Sequence, residues 1–89
     1  MEIEFDPDKA SSNIAKHGVS LDQAEYLEWD MLLAEEDNRE AYGELRFIGY
    51  APIGQQVFCV VFTDRGDVRR IISLRKATKR EVVNYASQI

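Results

Sequence analysis

One histidine, His17, and two arginines flanking strand-like apolar runs, Arg46 and Arg75, are the side chains of this sequence best suited to chemistry. Imidazole exchanges its proton closest to neutral pH, and guanidinium presents a planar fork of donors that fits two oxygens of a phosphate or carboxylate. Arg46 and Arg75 on neighbouring strands would converge into such a grip; alternatively, each pairs with an acid of the chain itself. His17, beside the chain-turning Gly18, has two readings: a proton-transfer group at a cleft edge, or a cation closing a helix C-terminus. Glu81 also has two. It is a carboxylate able to take a proton, and Thr78-x-x-Glu81 is the spacing of a helix capping box. Cys59, inside Val57–Phe62 with no histidine or acid beside it, reads as a small buried hydrophobe. Glu35-Glu36-Asp37 reads as a solvated turn, because adjacent acids rarely converge on one ion. No metal or other cofactor is expected.

The charges are segregated. The net charge is -5, yet from Arg65 onward seven cations (Arg65, Arg69, Arg70, Arg75, Lys76, Lys79, Arg80) face only Asp67 and Glu81. The first 64 residues carry fourteen acids against Lys9, Lys16, Arg39 and Arg46. Phosphate affinity follows local cation density, so the basic third is compatible with RNA despite the acidic total; a solvated face balancing the acidic half is the other reading. With 89 residues, 45% of them hydrophobic, one domain spanning residues 1–89 is expected. A lone cysteine suits a reducing compartment. The start Met1-Glu2-Ile3-Glu4 lacks the pattern of a signal peptide, and no apolar run approaches the ~20 residues of a membrane span, so a cytoplasmic protein is expected.

The elements that must position these groups follow from local patterns. Ile3–Phe5 reads as a short strand. Asp6-Pro7 opens a helix that Gly18 ends, with Ala10, Ile14 and His17 inward and Lys9, Asn13 and Lys16 on a solvated face. Ser20 opens a second helix carrying Leu21, Ala24 and Leu27 inward. Met31–Ala34 is a possible strand, and Glu44–Ala51, Gln55–Thr63 and Asp67–Leu74 are stronger ones, the middle run apolar on both faces and hence central. Alternation puts Arg69, Ile71, Ser73 and Arg75 on one face of the last strand and Arg70, Ile72, Leu74 and Lys76 on the other. Thr78 opens a closing helix with an apolar stripe of Val82, Tyr85, Ala86 and Ile89, in which Tyr85 either packs or stacks on a base. The fold expected is α+β: two N-terminal helices, an antiparallel sheet of three to four strands and one C-terminal helix.

Four blocks carry a resemblance. Phe5-Asp6-Pro7 leading through Lys9 and Asn13 to Lys16-His17-Gly18-Val19-Ser20 resembles the opening of BrnT-type toxins. Arg46-Phe47-Ile48-Gly49, Val60-Val61-Phe62-Thr63 with Arg65-Gly66, and Arg70–Thr78 with Glu81 and Tyr85 follow in that family's order. Residues 22 to 43 lie outside the matching blocks, and Leu74 stands where the family more often has alanine. The resemblance implies a RelE-like fold and a type II toxin, a metal-independent ribonuclease that blocks translation by cutting RNA. It also implies a BrnA-type ribbon-helix-helix antitoxin as partner, with operator DNA reached only through that antitoxin. Cleavage would need a group to take the 2′-hydroxyl proton and cations for the charge developing on phosphorus. Arg46, Arg75, His17 and Glu81 are the candidates for that chemistry. Lys16, Arg65, Arg69, Lys76, Lys79 and Tyr85 are candidates for RNA contact. The reading from another class is a catalytically silent subunit that binds antitoxin and helps regulate the operon.

Overall fold

Asp6 and Pro7 start a helix as their chemistry dictates. In the computed structural model, which describes all 89 residues, Asp6 is extended and its Oδ1 accepts from the Asp8 N–H at 2.8 Å. The helix, α1 (Pro7–His17), ends at Gly18 with φ +69°. A three-residue strand, β1 (Glu2–Glu4), precedes it. Two short 3₁₀ helices follow, Leu21–Tyr26 and Trp29–Met31. The rest comprises β2 (Leu33–Glu36), β3 (Phe47–Ile53), β4 (Gln56–Arg65), β5 (Val68–Lys76) and α2 (Lys79–Ala86).

The strands form one sheet in the order β1-β5-β4-β3-β2. Pairing is antiparallel throughout except that β1 lies parallel to β5, Ile3 opposite Arg69. The α+β class stands, but the sheet has five strands and is mixed, where three to four antiparallel ones were expected. The parallel pair joins the two ends of the chain, and three residues of β1 carry no periodicity that reveals it. The second helix is also corrected. Leu21, Ala24 and Leu27 are buried as expected, but they are spaced three apart, which is the repeat of a 3₁₀ turn, and the Ser20 side chain makes no capping bond. The acidic stretch is not simply a solvated turn. Glu35 and Glu36 lie on β2, while Asp37 is buried and accepts two side-chain bonds from Arg39, both at 2.7 Å, and one from Tyr42.

β4 lies at the centre of the sheet order, as its apolar run requires. Phe58, Val60 and Phe62 point to one face, where they meet Ala51, Ile71 and Leu74 and the 3₁₀ residues Leu21, Ala24 and Leu27. Cys59 and Val61 are buried on the other face. Val61 pairs with Ser73 but Phe62 pairs with Ile71, so β5 carries one extra residue, Ile72, at a bulge. This resets the alternation read from the sequence. Arg69 and Ile71 belong with the core face, and Ser73 and Arg75 lie on the opposite one.

α1 departs most from its expected orientation. Ile14 is 50% exposed and His17 is exposed, whereas Asn13, read as solvated, is 5% exposed. The reason is the short β1, which pairs only with Val68–Arg70 and leaves the next stretch of the β5 edge without a strand partner. The Asn13 amide fills that place. Its Nδ2 donates to the carbonyls of Leu74 (2.7 Å) and Val19 (2.8 Å), and its Oδ1 accepts from the Leu74 N–H at 3.2 Å. On β3, Gly49 lets β2 approach: a Cβ there would lie 2.7 Å from the Ala34 Cβ and 2.8 Å from the Leu33 carbonyl oxygen. In urea unfolding, Asn13→Ala is expected to cost about 3 kcal/mol, because three buried backbone groups lose their partner, whereas exposed Ser12→Ala stays within about 0.5 kcal/mol.

Candidate active site

Three strands place one side chain each in a row on the face away from the core. Tyr50 of β3 is opposite Cys59 of β4, which is opposite Arg75 of β5. Two residues after β5, Thr78 caps α2, and the cap turns Glu81 back over the row. The Thr78 Oγ1 accepts from the Glu81 N–H at 3.2 Å, and the Glu81 Oε1 accepts from the Thr78 N–H at 2.8 Å. Arg75 then donates from Nη1 to Oε1 at 2.7 Å and from Nη2 to Oε2 at 2.9 Å. The Tyr50 hydroxyl donates to the same Oε2 at 2.9 Å. The capping reading of Glu81 therefore holds, and the same carboxylate is aimed over the row by the cap and neutralised by Arg75.

The electrostatics follow from these bonds. The Arg75 guanidinium above all, then the Thr78 N–H and the Tyr50 hydroxyl, bring the Glu81 carboxyl down from its ordinary 4.5 to about 2 against the opposing effect of burial. Burial, followed by the bond to Glu81, pushes the Tyr50 phenol well above its usual range. Burial likewise raises the Cys59 thiol, in keeping with a packed rather than reactive cysteine.

An open cleft of about 390 Å³ runs from this network between β2, β3 and α2, with Leu33, Ile48 and Tyr50 on the sheet side and Glu81 and Asn84 on the helix side. Tyr85 anchors α2 beside it, 4% exposed and donating its hydroxyl to the Met31 carbonyl at 2.7 Å. Tyr85 thus packs, with little of its ring exposed to the cleft that it helps to line. The stripe expected to continue through Ala86 and Ile89 ends with Tyr85, and Ile89 is 68% exposed.

Other residues singled out from the sequence lie apart. Arg46 does not converge with Arg75. It lies just before β3, β4 separates β3 from β5, and Arg46 is four residue positions from the Tyr50–Cys59–Arg75 row, roughly 13 Å along the strands. Arg46 instead packs over the Tyr42 ring, 4.1 Å from its centroid, and donates to Glu44 at 3.1 Å. Arg65 pairs with the same Glu44 at 3.6 Å. The bulge puts Arg69 on the core face, over Phe62 and Trp29 at 4.3 and 4.9 Å, with a two-bond pairing to Asp64. Arg69, expected to contact RNA, is thus placed on the core face and paired within the chain. His17 and Lys16 are exposed at the end of α1, and His17 makes no hydrogen bond or ion pair with Arg75, Glu81 or Tyr50. Lys76 and Lys79 flank the network along the chain, both exposed. Sequence reasoning missed Tyr50. One tyrosine among four carries no local signal, and only the β3–β4–β5 register brings it to Arg75.

A family model described as the ribonuclease toxin BrnT of type II toxin–antitoxin systems matches residues 5–81 of the 89. The chain belongs to that family. The match spans α1 through the cap of α2, and so includes Tyr50, Arg75 and Glu81. Membership in a BrnT toxin family of this type implies a cognate antitoxin. A comparison with curated proteins finds no match. No helix of this BrnT-family chain is long and apolar enough to cross a membrane.

The depressed carboxyl ties stability to pH. Glu81 contributes stability fully above about 4.5, and that contribution fades as pH falls towards about 2. Glu81→Gln keeps the capping bond but loses the ion pair. Wild type is therefore expected to be more stable than Glu81→Gln at pH 7, with the difference closing between pH 5 and roughly 2 in paired thermal melts. A difference independent of pH would contradict the shift.

Proposed function

We propose that this toxin is a metal-independent endoribonuclease that inhibits translation by cutting RNA. Its cognate antitoxin would be of the BrnA ribbon-helix-helix type, with operator DNA reached only through it and both partners in the cytoplasm. One observation carries the chemical part of the proposal. A single carboxylate bridges a guanidinium and a phenol at the lip of an open cleft.

In this reading the scissile phosphate takes the two Arg75 donors from Glu81. The carboxylate, deprived of its main stabilising partner, regains basicity and accepts the proton of the RNA 2′-hydroxyl. The 2′-oxygen attacks phosphorus while Arg75 stabilises the charge that builds on the phosphate oxygens. The bond from phosphorus to the 5′-oxygen breaks, and the leaving oxygen takes the Tyr50 proton, a downhill transfer because an alkoxide is more basic than a phenolate. Protonated Glu81 then returns its proton to Tyr50 along their 2.9 Å hydrogen bond. The products are a 2′,3′-cyclic phosphate and a 5′-hydroxyl. Lys76, Lys79, Lys16 and Arg65 remain as contacts to flanking phosphates, and Arg46 as a contact to a phosphate other than the one held by Arg75. His17 has no step in this scheme.

The purified chain, freed of antitoxin, is expected to cut RNA in EDTA and leave 2′,3′-cyclic phosphate ends. Arg75→Ala is expected to lower the rate on the order of 100-fold, with thermal melts confirming that the variant is folded. Cleavage only with added divalent metal would refute metal independence. No cleavage under any condition, ribosomes included, would refute the enzyme reading in favour of a silent antitoxin-binding subunit.

A further inference from the structure

The cleft beside Arg75 and Glu81 has walls unlike a phosphate track. Leu33, Ile48 and the Tyr50 ring form its apolar floor, and three exposed polar side chains border it: Glu35 from β2, Asn84 from α2 and Gln88 from the turn that follows α2. Gln88 sits in the turn after α2, where its Nε2 donates to the Asn84 carbonyl at 3.3 Å, which holds it beside Asn84 and leaves the second amide hydrogen for a ligand. Glu35 lies opposite Ile48 in the β2–β3 ladder and makes no ion pair or hydrogen bond within the chain through its carboxylate. An apolar and aromatic slot edged by amides and a free carboxylate matches a flat heteroaromatic ring with polar edges. RNA-binding proteins recognise unpaired bases by this combination of stacking and edge hydrogen bonds. The cleft also shares Tyr50 and Glu81 with the phosphate-handling network, so a strand held at Arg75 delivers a neighbouring base to it.

We infer that this cleft is a nucleobase subsite, and that it selects guanine next to the scissile phosphate. Guanine offers two adjacent donors, N1–H and the 2-amino group, which a carboxylate such as Glu35 accepts as a pair. Its O6 and N7 acceptors fit the amide donors of Asn84 and Gln88. Uracil and cytosine lack the paired donors, and adenine presents a single amino group beside an acceptor. The inference rests on the proposed phosphate site at Arg75, but it concerns which base that site cuts beside.

Calorimetric titration of the full chain with the four nucleoside 3′-monophosphates tests it without requiring turnover. Guanosine 3′-monophosphate is expected to bind about tenfold or more tightly than the other three. Glu35→Gln, at an exposed position, should erase that preference, and Asn84→Ala should weaken it. Arg75→Ala should weaken all four nucleotides together. Equal affinities that fall together in Arg75→Ala would overturn the base subsite while leaving the phosphate site standing. A guanine preference that survives both Glu35→Gln and Asn84→Ala would also overturn it. Absence of binding by any nucleotide, with Glu35→Gln weakening the cognate antitoxin instead, would overturn both readings and make the cleft a protein-docking surface.

Discussion

The Glu81 carboxylate is the point on which the site depends. It accepts from the Thr78 backbone, from both Arg75 nitrogens and from Tyr50, so one side chain ties the start of α2 to β5 and β3. Each donor has its own structural reason to be there. The cap is local, the Arg75 and Tyr50 positions are fixed by ladder register, and Cys59 between them is buried. Charge-assisted bonds of this kind are roughly twice as strong as neutral ones, and the half-buried setting limits screening. The arrangement that steadies α2 therefore also holds a guanidinium, a carboxylate and a phenol at hydrogen-bonding distance. In the proposed mechanism RNA competes with Glu81 for Arg75, which would couple substrate binding to release of a base.

Two less conspicuous features keep the row in place. The bulge at Ile72 turns Arg75 away from the core while keeping Ile71 in it, so one strand serves both the core and the network around Glu81. Asn13 satisfies the part of the β5 edge that β1 is too short to reach, fixing the strand just ahead of Arg75. Gly49 allows β2 to close on β3, and β2 supplies one wall of the cleft. The site is thus held by a bulge, a side-chain amide and a missing methyl group.

Local chemistry was legible in the sequence, and long-range chemistry was not. The Asp6-Pro7 start, the Gly18 stop, the Thr78–Glu81 box and the doubly apolar run of β4 are short-range signals, and each is where its residues imply. The β1–β5 pairing joins residues more than sixty positions apart, and nothing local encodes it. The Ile72 bulge shifted the face assignment of Arg69 by one residue, enough to send an expected RNA contact into a stack with Phe62 and Trp29. Asn13 misled because a polar residue on a helix ordinarily faces water, whereas here its amide stands in for a strand. Arg75 and Glu81 were legible as residue types, but their pairing with each other and with Tyr50 required the register.

Competition between phosphate and Glu81 for Arg75 is open to measurement through the titration of that one carboxyl. Carbon-13 NMR of Glu81 across pH, with and without saturating guanosine 3′-monophosphate, reads it out. A carboxyl near 2 in the free protein is expected to rise towards its ordinary 4.5 when the nucleotide is bound. An unchanged Glu81 titration in the nucleotide complex would contradict it.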